Sequence, residues 1–450
     1  MALDAPKNPK HMVLTSFITP GGRYQSAWKI PDSRVEELGQ KFDLVHDLVQ
    51  YAEDAKLDSI FFGDMNTADS LIKQDLQPSG PHEPVTTMAA LAVTTKKIGI
   101  SGTVSTTFSY PYQIARMMTG IDHLSNGRAG WNIVTSSRGM ENFGYTPEDF
   151  PPNTVRYAMA DEFLEICTQL WDSWADDAVV VDRERGLWVD PERLHQINYT
   201  GQYFSSQGPL NMPRSPQGRP VLFQAGQSDV GMAFGIKYAD AIYAVQNDMH
   251  ESIKYMKMYE KLLTDAGRHP GSMKVLPGIM PILGETQKEA EEWADYLSSL
   301  TDLEMAKSRL QQNTKIDLTG IDWDDKIPLS RWDAPEVPKY AHGGNIRSKA
   351  IELDGTLREL LYVLGRGTGG HLSVVGTPSQ VADVMVEWFE AGACSGFNFN
   401  PPANNERGQL PIFKQLVPEL QSRGYFREEY EGDTLRDHLG LSYPPAWDKK

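Results

Sequence analysis

The stretch Pro220-Val-Leu-Phe-Gln-Ala-Gly-Gln-Ser-Asp-Val-Gly231 holds the pattern that the rest of the chain repeats. Val221-Leu222-Phe223 is a short apolar run behind a proline, which reads as a buried strand. Gly226 breaks it, and Ser228 or Asp229 stands where it can cap a helix through Met232, Ala233 and Ile236. A strand that ends at glycine and opens straight into a capped helix leaves backbone N–H groups free at the turn. Such a turn suits an anion, most often a phosphate. An ordinary βα turn has the same sequence, so the surrounding chain has to decide between the two.

Working outward, the same strand-then-helix unit recurs. Upstream lie four strand candidates: Met12–Ile18, Ser59–Phe62, Ile98–Val104 and Gly127–Thr135. Downstream lie Asp240–Val245, Lys274–Leu283 and Ser395–Asn400. Apolar residues at helical spacing fill the gaps, as in Phe42, Leu44, Val45, Leu48, Val49 and Ala52. Further helices are expected from Pro84, over Tyr110–Leu124, Arg156–Trp174, Glu251–Ala266, Thr286–Leu310 and Pro378–Ala391, and a last one over Leu410–Arg423. Pro277 and Pro281 are awkward inside a central strand, so bulges are expected there.

Two stretches break the rhythm. Residues 175–218 are rich in Asp, Arg, Gly and Pro with short β-like pieces such as Ala178–Val181, and residues 313–370 scatter Pro, Trp, Asp and His. Both read as insertions, the second as a lid or binding loop. Eight strands alternating with helices imply a parallel sheet. The α/β fold expected is a (β/α)8 TIM barrel with two large insertions, a single domain over residues 1–450. An open doubly wound sheet is the alternative that periodicity alone leaves standing. The tail 425–450 carries Phe426, Tyr430 and Leu439, too apolar for a free end, and is expected to dock on the barrel or on a partner subunit.

Composition narrows the function classes. With 40% hydrophobic and 23% charged residues over 450 positions, the chain is of ordinary globular type with material for a large core. A formal net charge of −17 argues against nucleic acid and anionic membranes as partners. Two cysteines, Cys167 and Cys394, are too few for a disulfide framework. Neither a signal peptide nor a membrane-length apolar run is found, so a cytoplasmic protein is expected.

Gly365-Arg-Gly-Thr-Gly-Gly370 has dinucleotide-binding spacing in the wrong setting: helix before it at Leu357–Leu364 and strand after it at Leu372–Val375. It reads as a helix end plus loop. The ten histidines show no metal-ligand spacing, and no nucleophile elbow or Walker motif occurs. The C-terminal ends of the strands, where a barrel gathers its function, carry Phe17, Asp64, Thr103, Thr106, Thr107, Asn132, Thr135 and Ala225–Ser228. These are hydroxyls, amides and backbone N–H groups without a nucleophile or acid–base pair. They suit holding a polar planar cofactor that acts as the reagent.

Thr103-Val-Ser-Thr-Thr107, Pro111-Tyr-Gln-Ile-Ala-Arg116 and Asp122-His-Leu-Ser-Asn-Gly-Arg-Ala-Gly-Trp-Asn-Ile-Val-Thr-Ser136 resemble the bacterial-luciferase-like flavin monooxygenases. The likeness is greatest to their two-component branch, which contains nitrilotriacetate, EDTA, pristinamycin and dibenzothiophene-sulfone monooxygenases. It continues through Arg156–Leu164, Leu170–Trp174, Pro213–Ser228 and Tyr430–Leu441. The resemblance implies a TIM barrel that binds FMN as FMNH2. A separate NAD(P)H:flavin reductase would supply it, and a flavin C4a-peroxide formed with O2 would oxygenate a small organic substrate.

By the same resemblance, Asp64 and Thr103 would contact the flavin ring or ribityl chain and Asn132 would lie beneath the ring. Tyr157 and Ser228 would hold the phosphate, with Arg156 nearby. Asn153 stands where close relatives have histidine, and can donate a hydrogen bond but carries no charge. A homodimer or homotetramer is expected. A deazaflavin-dependent oxidoreductase and a non-catalytic flavin binder are the competing readings. For an anionic substrate, Arg138, Lys339 and Arg347 are the loop cations in reach, and His82 and His342 lie in the loops expected around the mouth.

Overall fold

In the computed structural model, which describes residues 11–19, 21–24, 26–37, 41–68, 83–337, 341–366 and 370–446, parallel strands close on themselves. The strands of this sheet are β1 (Val13–Phe17), β2 (Ser59–Phe62), β3 (Gly99–Ser105), β4 (Ala129–Val134), β5 (Val221–Gln224), β6 (Ala241–Ala244), β7 (Lys274–Leu283), β8 (Leu372–Gly376) and β9 (Gly396–Phe399). They run in the order β6-β5-β4-β3-β2-β1-β9-β7-β8, and pairing of β6 with β7 closes the ring. That closure rules out the doubly wound alternative: the expected (β/α)8 barrel is what forms.

Helices cover the outside because each carries one apolar stripe. They are α1 (Phe42–Asp54), α2 (Pro84–Thr94), α3 (Pro111–Leu124), α4 (Asn153–Trp171), α5 (Asp229–Tyr238), α6 (Met249–Asp265), α7 (Gln287–Ser299), α8 (Leu303–Thr314), α9 (Ala341–Leu353), α10 (Leu357–Arg366) and α11 (Pro378–Glu390). The single helix expected over Thr286–Leu310 is two. Asp302 ends the gap by accepting from Met305 N at 3.0 Å, starting α8 afresh. The final helix begins as a π turn, Ile412–Leu416, before Val417–Ser422. Pro418 has no N–H to give an i−4 carbonyl there.

The register of β7 runs unbroken past both prolines instead of bulging. Lys274–Pro277 pair with β6, and Ile279–Leu283 pair with β8, which takes over the same side. At the changeover stands Gly278, where an added Cβ would lie 2.6 Å from Asn400 Nδ2.

Residues 175–218 include two antiparallel hairpins, Val179–Asp182 with Leu187–Val189 and Tyr199–Thr200 with Ser205–Ser206. Within 313–370, α9 and α10 enclose a separate buried cluster with Leu310, Ile316, Leu318, Trp332 and Leu361.

The barrel core is layered. In the middle, the Tyr243 ring lies 4.6 Å from Phe61 and stacks on Phe223 at 5.1 Å. The N-terminal end is plugged by the tail: Leu435 and Leu439 are buried with Val13, Val221, Ala241 and Leu276. Gly99 makes room for Leu435, whose side chain would collide with a Cβ there. Arg427 pairs with the buried Asp58, and Arg436 with Asp240 at 3.0 Å. Among the described residues, no helix is long and apolar enough to cross a membrane.

Candidate active site

Three residues at the C-terminal end of the barrel, Phe62, Thr103 and Asn132, are linked in one relay. Thr103 Oγ1 donates to Phe62 O at 2.9 Å, and so must accept, rather than donate, toward its other neighbour. Asn132 Nδ2 donates to that hydroxyl at 2.9 Å. The relay orients the Asn132 amide, and leaves its Oδ1 buried with no partner in the protein. Asn132 faces inward because Gly130, two residues earlier, points its missing Cβ at Phe223 in the barrel core. Ser105 Oγ, Thr107 Oγ1 and Asn400 Nδ2 are likewise buried and unpartnered. Groups of this kind cost free energy unless something bonds them. A polar ligand in the mouth would do so.

The turn after β5 forms the second part. Ser228 caps α5, its Oγ accepting from Gly231 N at 3.3 Å. Tyr157, arriving on α4, places its hydroxyl against the same turn. A Cβ added at Gly226 would lie 2.6 Å from that oxygen, and one at Gly231 2.8 Å. Two glycines therefore let one phenolic O–H and the first N–H groups of a helix converge on one spot.

Arg156 does not join them. Its guanidinium donates to Thr135 O at 3.1 Å, to Pro151 O at 2.6 Å and to Asn153 Oδ1 at 3.3 Å, and lies 4.9 Å over the Phe150 ring. Burial lowers its pKa, yet it stays cationic. Its work is to fix the loop leading into α4. Asn153 is exposed and spends its oxygen on this arginine.

Asp64 is exposed just beyond β2, on the rim. Its carboxyl is pushed above the ordinary range, first by crowding that limits solvation and then by the charge of Glu83. Asn142 Nδ2 donates to Asn66 O at 2.8 Å, tying the loops after β4 and β2 together. Phe108 stacks on Phe143 at 4.3 Å, with Tyr145 and Phe150 beside it. This aromatic wall escaped the sequence reading, since its members come from two different loops.

Of the loop cations expected near an anion, Arg138 is exposed, and Arg347 is held by Asp333 at 2.6 Å and Trp332 O at 3.1 Å. His82, Lys339 and the side chain of His342 lie outside the described residues. The guanidinium that the sequence reading overlooked is Arg23, 4.5 Å over the ring of Phe17 at the end of β1.

The luciferase-like monooxygenase profile matches residues 13–395 of this chain. The chain belongs to that family. This luciferase-like monooxygenase is 40% identical over 440 residues to N-acetyl-S-(2-succino)cysteine monooxygenase of Bacillus subtilis (strain 168), covering 97% of this chain and 98% of the relative. It is 35% identical over 451 residues to nitrilotriacetate monooxygenase component A of Aminobacter aminovorans, covering 97% of each. Its fold is similar to the crystal structure of a long-chain alkane monooxygenase, with a TM-score of 0.81 and 29% identity over 96% of this chain and 95% of that one. It is a flavin-dependent monooxygenase, in agreement with the resemblance carried by Thr103–Ser136.

Proposed function

We propose that this monooxygenase works with FMN in its reduced form, FMNH2, received from a separate NAD(P)H:flavin reductase, and inserts one oxygen atom from O2 into a small organic substrate. The observation that carries the reading is the buried, inward-facing acceptor Asn132 Oδ1, oriented by Thr103 and bonded to nothing in the protein. A flavin ring offers N–H donors for such an acceptor, and the remaining orphan groups suit its carbonyls and ribityl hydroxyls. The fit extends to the phosphate, for which Tyr157, Ser228 and the N–H groups at the start of α5 stand together.

Reduced flavin, once bound, supplies the electrons that activate O2. The residues of this chain bind, orient and shield. Thr103 locks the Asn132 amide in one orientation, and Asp64 stands at the rim, its carboxyl pushed above the ordinary range by desolvation and then by Glu83. The aromatic cluster of Phe108, Phe143, Tyr145 and Phe150 offers an apolar face on the loops after β3 and β4. The relative from Aminobacter aminovorans carries the name component A, which supports a divided system with the reductase as a second protein.

The test is a coupled assay. Protein with NADH alone should be inactive, and addition of a flavin reductase and FMN should give substrate-dependent oxygen uptake over a panel that includes N-acetyl-S-(2-succino)cysteine and nitrilotriacetate. Anaerobic titration with FMNH2 and with reduced deazaflavin separates the two cofactors. Tighter binding of the deazaflavin, or oxygen uptake without any product, would overturn the proposal.

A further inference from the structure

Among the described residues, Arg23 is a cation without a counter-charge. It has no ion pair and no side-chain hydrogen bond among them, and its Nε is buried without a partner. Its backbone is nevertheless held firmly: Arg23 N donates to Pro401 O at 2.9 Å, and the flanking Gly22 and Tyr24 N–H groups donate to Thr19 O and Pro402 O. The side chain is thus presented from a fixed loop across the C-terminal end of the barrel. Its guanidinium lies 4.5 Å over the Phe17 ring, and Phe17 meets Phe61 edge-on at 4.7 Å. Beside it the chain leaves β9 through Asn400, whose Nδ2 is a buried donor without an acceptor.

Arg23 is half-buried, and a guanidinium shielded from water at its Nε without a counter-charge is costly to keep. Burial alone pushes the pKa of Arg23 down to about 10, with no acidic group acting in the other direction. Stacking on Phe17 returns part of that cost and leaves the N–H edge unused. The edge is a planar fork matching a carboxylate. A second unused donor, Asn400 Nδ2, enters the same mouth.

We propose that the substrate bears a carboxylate and that Arg23 is the residue that receives it, holding the oxidisable part of the molecule toward the barrel axis. This deepens the monooxygenase reading and rests on it for where the chemistry occurs. Arg23 is a specificity residue on the substrate side of the mouth. The phosphate end, at Tyr157 and Ser228, belongs to other strands.

The test uses purified protein with and without bound FMN. The probes are benzoate, succinate and N-acetylmethionine, each compared with its methyl ester by calorimetry and by thermal shift. The acids are expected to bind at least tenfold tighter than their esters. Arg23→Gln should erase that preference and Arg23→Lys retain part of it, both with an FMN affinity within threefold of the parent.

A thermal midpoint for Arg23→Gln that equals or exceeds the parent is also expected, because an unpaired, half-buried charge has been removed. A structural arginine would give the opposite. The proposal is overturned if no acid is preferred over its ester, if Arg23→Gln keeps the preference, or if Arg23→Gln loses FMN in the absence of probe. If FMN fails to bind the parent while the acids still do, the flavin reading fails and the carboxylate site stands.

Discussion

Gly226→Ala is a change of one methyl group that should act on a residue far away in sequence. The new Cβ would sit 2.6 Å from the Tyr157 hydroxyl, well inside contact distance, and would also press on Gln224 Nε2 and, at 3.1 Å, on the Gly231 Cα. The tip of a tyrosine side chain is the cheapest of these to displace, so Tyr157 O–H should swing away from the turn. A hydrogen bond to a charged group contributes about 1.5–3 kcal/mol. Losing about 2 kcal/mol corresponds to roughly 30-fold weaker FMN binding.

The measurement is an FMN titration followed by flavin fluorescence on four proteins: the parent, Gly226→Ala, Tyr157→Phe and the double variant. If both changes work through the same hydroxyl, the double variant binds no worse than the weaker single one. Thermal midpoints of the two singles should stay close to the parent, since Gly226 has no left-handed backbone to lose. Additive losses, or undiminished binding in Gly226→Ala, would refute the placement of phosphate at this turn.

Ser228→Ala should weaken FMN binding clearly while costing only about 1 kcal/mol of stability as a lost helix cap; equal loss of both would make Ser228 a cap and nothing more. Leu435→Ala should destabilise by about 2–5 kcal/mol in chemical denaturation by opening a cavity at the barrel base, with FMN affinity unaffected. His438 is buried, and its pKa falls to about 3 through burial and then the charge of Arg427. The unfolded chain takes up that proton first, so this stability is present above the unfolded pKa of 6.5 and is lost as pH falls toward the folded value. His438→Phe should therefore remove about 2 kcal/mol of acid sensitivity between about pH 7.5 and about pH 5. Asp58, pushed up to about 6 chiefly by burial, opposes it by gaining stability on acidification, so the comparison must be variant against parent. Parallel pH profiles would refute the assignment.

The barrel was legible because each of its strands is a short apolar run closed by glycine or a polar residue, and burial on both faces leaves that mark in the residues themselves. The glycine-rich Gly365–Gly370 could be set aside for the same reason: α10 precedes it and β8 follows it. Thr103 and Asn132 were legible as strand-end residues, but their hydrogen bond depends on the alignment of β3 with β4, Thr103 opposite Asn132. Arg156 misled because adjacency to Tyr157 on a helix means pointing elsewhere, about 100° around the axis. Arg23 left no trace in the sequence. What distinguishes it is that no acid among the described residues acts on it, a property of the folded neighbourhood alone.

The plug at the base of the barrel sets an order of events. Leu435 and Leu439 share one core layer with residues from β1, β5, β6 and β7, yet they follow every barrel strand in the chain. Throughout synthesis the growing barrel has a hole where those side chains belong, with Phe61, Phe223 and Tyr243 above it. Folding of such a chain cannot be completed from the N-terminus forward. A ribosome-bound chain that stops before Leu435 should remain open to proteases, and release of a few more residues should close it.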